Sequence, residues 1–278
     1  MLQISELYIY PIKSLTGIPV REARVTATGF EHDRRWMLID ENNLFISQRE
    51  VPEMALMQVA IENDGLTVTY KEQRLFIPFE SEDKSRGDVT IWDDTCIANY
   101  VGYEADKWFS TMLRVNCRLV YMPDDSRRLV DQKYAPGDLV TSFADGYPFL
   151  IIGQASLDDL NSRLQTPLPM NRFRPNMVFT GGQPYEEDSM ANFTIRDINF
   201  YGVKLCGRCV MTTIDQNSAE KGKEPLKTLA SYRQKNKNVY FGQNLVHKGD
   251  GIISVGDVMT VLKLNYEERF TIPTEVRI

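Results

Sequence analysis

Residues 206–215 read CGRCVMTTID, and this short segment carries most of the information on chemistry and fold. Two cysteines stand three positions apart, Cys206 and Cys209, and an apolar run over 210–214 follows them. The β-branched residues of that run predict a strand. A C-x-x-C pattern is compatible with half of a zinc site, a dithiol redox pair, a single metal-binding thiolate or two buried thiols.

Two of these four interpretations fit the surrounding sequence poorly. A thioredoxin-like redox pair opens a helix, whereas a strand is predicted after Cys209. A zinc site needs two more soft ligands, and the remaining candidates form no second paired motif: His32, Cys96, Cys117 and His247. A thiolate ligand for a soft or high-valent metal, with Arg208 beside it, stays open, as does a pair of buried thiols.

Composition narrows the class of protein. The 278 residues suffice for two domains, and 42% hydrophobic with 25% charged residues is typical of globular proteins. A net charge of −6 argues against a nucleic-acid partner. No apolar run is long enough to span a membrane, and residues 1–6 lack the features of a signal peptide or anchoring leader. With four cysteines, too few for a disulfide scaffold, we expect a cytoplasmic protein without a membrane partner.

Hydrophobic periodicity predicts a chain that is mainly β with short helices, an α+β fold. Hairpins are expected over 36–46 and 59–70, and a helix from about 105 to 114. The polar stretch 123–128 is the best candidate boundary, which divides the chain into domains 1–122 and 123–278.

The second half is expected to contain further strands and two short helices. Ser156 and Asp159 resemble a capping box at one helix start, and Pro225 suits the first position of another. Strands are predicted over 176–180, 193–198, 200–205, 210–214, 252–255 and 258–262.

Cationic residues cluster in three short segments: YPIKS at 10–14, DRRW at 33–36 and NRFRPN at 171–176. An arginine fork donates bidentately to phosphate, while lysine and serine add a point charge and a further donor. Each segment alone is more often a solvated strand end than a ligand contact.

Taken together with CGRCVMTTID, these segments resemble the MOSC-domain family. The resemblance is to its two-domain members, in which an N-terminal MOSC-associated β domain packs on a MOSC β-barrel, such as the mitochondrial amidoxime-reducing component and its bacterial relatives. Further matching stretches lie at 153–157, 223–226, 241–244 and 255–257, so the resemblance covers nearly the whole chain.

The resemblance implies a molybdenum cofactor, a pyranopterin dithiolene with a terminal phosphate, bound between the two domains. Cys209 is implied as the molybdenum ligand, Asp145 as a catalytic neighbour and Cys206 as a thiol that does not ligate. The implied cofactor-binding residues are Lys13, Ser14, Arg34, Arg172, Arg174, Asn176 and Cys209.

The implied activity is reduction of N-hydroxylated or N-oxygenated small molecules by oxygen-atom transfer to molybdenum. Because no cysteine follows Cys209, we expect no iron–sulfur cluster in this chain and a separate flavin or iron–sulfur electron donor. The alternative is a cofactor or sulfur carrier without its own turnover, in which Cys209 would hold a persulfide. A third possibility is a structural zinc protein that uses Cys206 and Cys209.

Overall fold

A computed structural model describes residues 1–81, 83 and 85–266, and strands dominate it. Numbered in chain order, the strands are β1 (Leu2–Ile9), β2 (Ile18–Val20), β3 (Glu22–Thr26), β4 (Gly29–Phe30), β5 (Trp36–Ile39), β6 (Gln58–Ile61), β7 (Gly65–Tyr70), β8 (Gln73–Pro78), β9 (Arg86–Ile91), β10 (Asp94–Tyr100), β11 (Arg118–Tyr121), β12 (Phe149–Gly153), β13 (Met177–Thr180), β14 (Met190–Ile195), β15 (Ile198–Gly207), β16 (Gln234–Lys235), β17 (Asn238–Lys248), β18 (Gly251–Ser254) and β19 (Val258–Leu264).

The helices are short. The α-helices are α1 (Tyr103–Leu113), α2 (Gln154–Ser162) and α3 (Leu226–Ala230), and the 3-10 turns are Pro52–Leu56, Met170–Arg172, Glu186–Ser189 and Val210–Thr213. Among the described residues, no helix has the length and apolar character needed to cross a membrane.

Seven strands close a β-barrel in the order β12-β13-β1-β19-β14-β15-β17, with β17 pairing back to β12. All neighbours are antiparallel except β12 and β13. The first strand therefore lies between β13 and β19, two strands from the second half of the chain, and its end also pairs with β2. The predicted fold class, mainly β with a barrel domain, is confirmed.

Alternating side chains fill the barrel interior, as a two-residue strand period requires. Along β1 the buried residues are Ile4, Leu7 and Ile9, and a bulge between Ile4 and Glu6 shifts the alternation by one. Aromatic rings dominate the centre, where Phe149 meets Phe30 and Phe200 edge to face at 4.9 and 5.5 Å.

The N-terminal half contains a four-stranded sheet, β5-β11-β10-β9, and the meander β6-β7-β8. The hairpin predicted over 59–70 is confirmed, with Ile61 opposite Leu66. The one predicted over 36–46 is reduced to a bridge between Ile39 and Phe45. Helix α1 ends as expected at Arg114, in a left-handed conformation with φ of 56°.

Two local predictions are wrong. Residues Val210–Thr213 form a 3-10 turn instead of a strand, because the threonine hydroxyls bond to backbone carbonyls three residues earlier. Ser156 does not begin a helix, since α2 already starts at Gln154 and the Ser156 hydroxyl donates to Glu187 instead, at 2.8 Å.

Strand pairing crosses the proposed boundary at residue 122. β1 pairs with β13 and β19, and β3 pairs with β18 in a small sheet that ends in β4. The division into 1–122 and 123–278 stays a prediction.

We expect Leu7→Ala to destabilise the whole protein by about 2–5 kcal/mol, because Leu7 is 1% exposed inside the barrel and its loss leaves a cavity. Urea unfolding measures the change. Leu44→Ala, which truncates a 42% exposed leucine, is the matched control and should change stability by less than about 1 kcal/mol. Equal losses of unfolding free energy in Leu7→Ala and Leu44→Ala would contradict the placement of β1 in the barrel.

Candidate functional site

A cleft of about 830 Å³, open to solvent, receives side chains from both halves of the chain. The structure brings all the predicted site residues to its walls: Lys13, Ser14, Arg34, Asp145, Arg172, Arg174, Asn176 and Cys209. Segments more than 190 residues apart in sequence thus meet here, because β1 carries the N-terminal segment into the barrel.

Three of these residues hold an unfavourable backbone conformation. Ser14, Arg34 and Arg174 have φ of 70°, 49° and 54°, in the left-handed region that non-glycine residues rarely adopt. Hydrogen bonds maintain it: the Arg34 amide donates to the Tyr10 carbonyl at 2.8 Å, and the Lys13 amide to Trp36. Strained residues of this kind concentrate at binding sites.

Two arginines that line the cleft contact the same aromatic ring, that of Tyr10. The guanidinium carbons of Arg34 and Arg174 each lie 4.3 Å from its ring centroid, and its hydroxyl donates to the Pro175 carbonyl at 3.0 Å. Arg34 is further paired with Asp33 and donates to the Asn176 side chain, at 2.7 and 3.0 Å. The cation–π contacts hold two like charges close together.

Arg174 has no anionic partner within the described part of the chain, although it is only 8% exposed. Burial, reinforced by the charge of Arg34, lowers its pKa to about 10, so it stays charged at neutral pH. Arg208 is similar: it donates to the carbonyls of Phe241 and Phe173, and its Nη2 is buried without a partner. Buried cations without anions are costly unless a ligand compensates them.

Lys13 and Asp145 form an ion pair at the cleft wall. The Lys13 ammonium, 5% exposed, donates to the Phe143 carbonyl at 2.8 Å and to Asp145 at 2.6 Å. Burial lowers the pKa of Lys13 to about 8 despite this partner. Lost hydration opposes ionisation of Asp145, but the charges of Lys13 and Arg49 outweigh it and hold its pKa well below the usual range.

The two thiols of the C-x-x-C motif differ in their surroundings. Cys209 is exposed, and Arg49 Nη1 lies 3.7 Å from its sulfur. Cys206 is half-buried, and burial raises the pKa of its thiol. Cys209 is therefore the sulfur that is open to an incoming ligand.

Arg172 supports the turn that follows Cys209. Its guanidinium donates to the carbonyls of Thr212 and Thr213, at 3.0 and 3.2 Å, and to Asp215 at 2.8 Å. These contacts engage all three nitrogens, so Arg172 anchors the cysteine turn. Its predicted contact with a cofactor stays a prediction.

Sequence reasoning did not select Arg49, Ser47 or Asn244, which also line the cleft. Arg49 follows a polar Ser-Gln pair after the first hairpin, and nothing in that pattern marks it as a ligand contact. Its position depends on Gln48, which donates to the Ser14 carbonyl at 2.6 Å and exchanges hydrogen bonds with Gln216.

The described residues do not support a structural zinc site. Within residues 1–81, 83 and 85–266, no group of three or more His, Cys, Asp or Glu side chains could hold a metal ion. Cys206 and Cys209 thus have no protein partners to complete a tetrahedral site.

The barrel and its cleft define a MOSC-domain protein. The family description "MOSC N-terminal beta barrel domain" matches residues 1–116, and "MOSC domain" matches residues 138–260.

Relatives that match most of this chain narrow the class of protein further. The chain is 32% identical to mitochondrial amidoxime-reducing component 1 of Homo sapiens, over 93% of this chain and 82% of that protein. It is 32% identical to mitochondrial amidoxime reducing component 2 of Homo sapiens, over 83% of this chain and 72% of that protein. A molybdenum cofactor sulfurase of Solanum lycopersicum is 30% identical over 91% of this chain but only 35% of its own length. The chain belongs to the MOSC family of amidoxime-reducing components.

The predicted cytoplasmic location is wrong, because the amidoxime-reducing relatives are mitochondrial and point to mitochondria instead. That prediction rested on composition, cysteine number and residues 1–6. A folded β-rich protein has the same composition in either compartment, so these features do not locate it.

We expect sulfate, which does not titrate near neutrality, to bind the cleft about tenfold more weakly at pH 9.5 than at pH 7. Lys13 is charged below its pKa of about 8 and neutral above it, so one N–H donor loses its charge as the pH rises. Calorimetric titration measures the affinity.

The control is Lys13→Met, which should bind sulfate weakly at both pH values. A wild-type affinity that is the same at pH 7 and pH 9.5 would contradict the role of Lys13.

Proposed function

We propose that this protein binds a molybdenum cofactor in the cleft and reduces N-hydroxylated small molecules with electrons from a separate flavin or iron–sulfur protein. One observation carries the proposal: the exposed Cys209 thiol shares a cleft with the buried Arg174 and the half-buried Arg208, neither of which has an anionic partner among the described residues. Membership of the amidoxime-reducing family supports it.

The cleft suits an anionic cofactor. Its walls contain six cationic side chains, Lys13, Arg34, Arg49, Arg172, Arg174 and Arg208, and one acidic side chain, Asp145. This local excess of positive charge contrasts with a chain of net charge −6. A phosphate and a dithiolene would supply the negative charge that Arg174 and Arg208 lack.

Six of the predicted residues have a proposed part in contacting the cofactor, while Arg172 holds the turn after Cys209. Lys13, Ser14 and Arg34 would hold the phosphate and pterin from one wall, while Arg174 and Asn176 would hold them from the barrel. Cys209 would ligate the molybdenum. When bound, the cofactor supplies the acceptor for the oxygen of the substrate.

The reduction breaks an N–O bond, consumes two electrons and two protons, and releases the unoxygenated base with one water. Asp145 is ionised at neutral pH, so it can orient or accept a proton but has none to give. Lys13 donates to Asp145 at 2.6 Å, so Asp145 positions the ammonium group that would contact the phosphate.

The alternative is a cofactor or sulfur carrier. The similarity to molybdenum cofactor sulfurase favours this function, although it covers only 35% of that protein. The persulfide would then form on the same exposed thiol, Cys209, and the cationic walls would still hold the pterin phosphate.

Turnover distinguishes the two functions. With cofactor and a chemical electron donor, the wild type should reduce benzamidoxime, and Cys209→Ser should lose at least about a hundredfold of kcat/KM because serine is a poor ligand for a soft metal. Cys206→Ser is the matched control and should stay within about threefold of wild type. Chromatographic measurement of benzamidine gives the rates.

A wild type that retains molybdenum but forms no benzamidine would exclude the reductase in favour of the carrier. Equal losses in both cysteine variants would overturn the assignment of Cys209.

A further inference from the structure

Trp92 lies in the turn between β9 and β10, in a conformation that is unfavourable for its residue type. Ile91 pairs with Asp94, so Trp92 and Asp93 form a two-residue turn. Trp92 has φ of 57°, in the left-handed region where glycine or asparagine is preferred at such turns. Its side chain is also 46% exposed. The indole contacts the Phe45 ring at a centroid distance of 5.1 Å. A large exposed ring at a strained turn position points to a functional role.

The indole is tied to the cleft through two contacts. Its Nε1 donates to Asp145 at 3.3 Å, and the Arg49 guanidinium carbon lies 4.4 Å from the ring centroid. Arg49 in turn lies 3.7 Å from the Cys209 sulfur. One residue therefore separates Trp92 from the proposed metal ligand.

Trp92 also lines a second cavity, which we call the antechamber. This space of about 1520 Å³, open to solvent, shares part of its wall with the cleft: Asp145, Gly146, Tyr147, Cys206, Gly207 and Asn244. Leu129, Val130 and Tyr240 add apolar surface beside Trp92. A small molecule in the antechamber would adjoin the reaction cleft without competing for its arginines.

The charge of the antechamber is opposite to that of the cleft. Its lining contains Asp93, Asp94, Asp131 and Asp145 against a single cation, Lys204. Asp94 pairs with Arg128 at 2.8 Å and Asp131 lies 3.9 Å from Lys204. Asp93 forms no ion pair within the described residues, so the antechamber favours a positively charged ligand.

We propose that the antechamber is the substrate site and that Trp92 is the surface on which a planar nitrogen base stacks. This inference rests on the proposed reductase function and adds the place where the substrate of that reaction binds. The aromatic ring receives the flat part of the molecule, and the carboxylates accept from its N–H and O–H groups and favour the amidinium product.

Benzamidine, a planar amidinium, tests the site by calorimetric titration of protein purified from a host that makes molybdenum cofactor. Trp92→Asn should weaken binding about tenfold, whereas Trp92→Phe, which keeps a ring, should stay within about threefold. Benzamide, which has nearly the same shape and no charge, should bind the wild type about tenfold more weakly than benzamidine.

Thermal unfolding shows whether weaker benzamidine binding in a variant results from a loss of stability. Asparagine tolerates the left-handed conformation but lacks the contacts of the indole with Phe45 and Arg49, so Trp92→Asn should have a Tm within a few degrees of that of the wild type. Tyr103→Asn, which removes a 71% exposed aromatic residue on α1, is the control and should leave both binding and Tm unchanged.

Equal benzamidine affinity in the wild type and Trp92→Asn would overturn the inference, as would equal affinity for benzamide and benzamidine. The same samples are assayed for benzamidoxime reduction. If the wild type and Trp92→Asn reduce benzamidoxime at equal rates, the assignment of the substrate site is overturned and the reductase function is not. Benzamidine binding that depends on Trp92, without any reduction, would support the site and exclude the reductase function.

Discussion

The positive charge buried around Tyr10 is the feature on which the rest of the site depends. Arg34 and Arg174 contact one aromatic ring, and of the two only Arg34 has a carboxylate partner among the described residues. Two desolvated guanidinium groups so close together are unfavourable in isolation. The strained backbone at both arginines shows that the surrounding fold enforces this arrangement. An anionic ligand would relieve the repulsion between the two guanidinium groups. The arrangement of charges in the cleft therefore favours binding of an anion.

The barrel topology explains how the charges meet. β1 closes the barrel between β13 and β19, so the segment that follows it reaches the cleft beside the segment that precedes β13. The 3-10 turn after Cys209 follows the end of β15, and hydrogen bonds from Arg172 hold it in place. The two spaces along this wall, one cationic and one acidic, meet at Asp145. That contrast of charge is the basis of our proposal that the cofactor and the substrate occupy different spaces.

The sequence predicted the fold class, and it predicted a set of residues that the structure brings to one cleft, because short motifs report local chemistry. YPIKS, DRRW and NRFRPN each place cations at strand ends, and all three reach the cleft. The run 210–214 was mispredicted because its threonine hydroxyls compete for backbone carbonyls. Arg49 and Trp92 were missed because their roles arise from packing between distant segments. Only the fold shows that Trp92 occupies a turn position better suited to glycine.

The central claim is that Arg174 has no anionic partner among the described residues because it binds an anionic molybdenum cofactor. The most direct test is elemental analysis by mass spectrometry of protein from a cofactor-producing host, comparing the wild type with Arg174→Met. The account predicts about one molybdenum per wild-type chain and several-fold less in the variant, whose cofactor-free form should unfold at the same or a higher temperature. Equal molybdenum in both proteins, or none in a wild type from a host whose other molybdoenzymes are loaded, would contradict it.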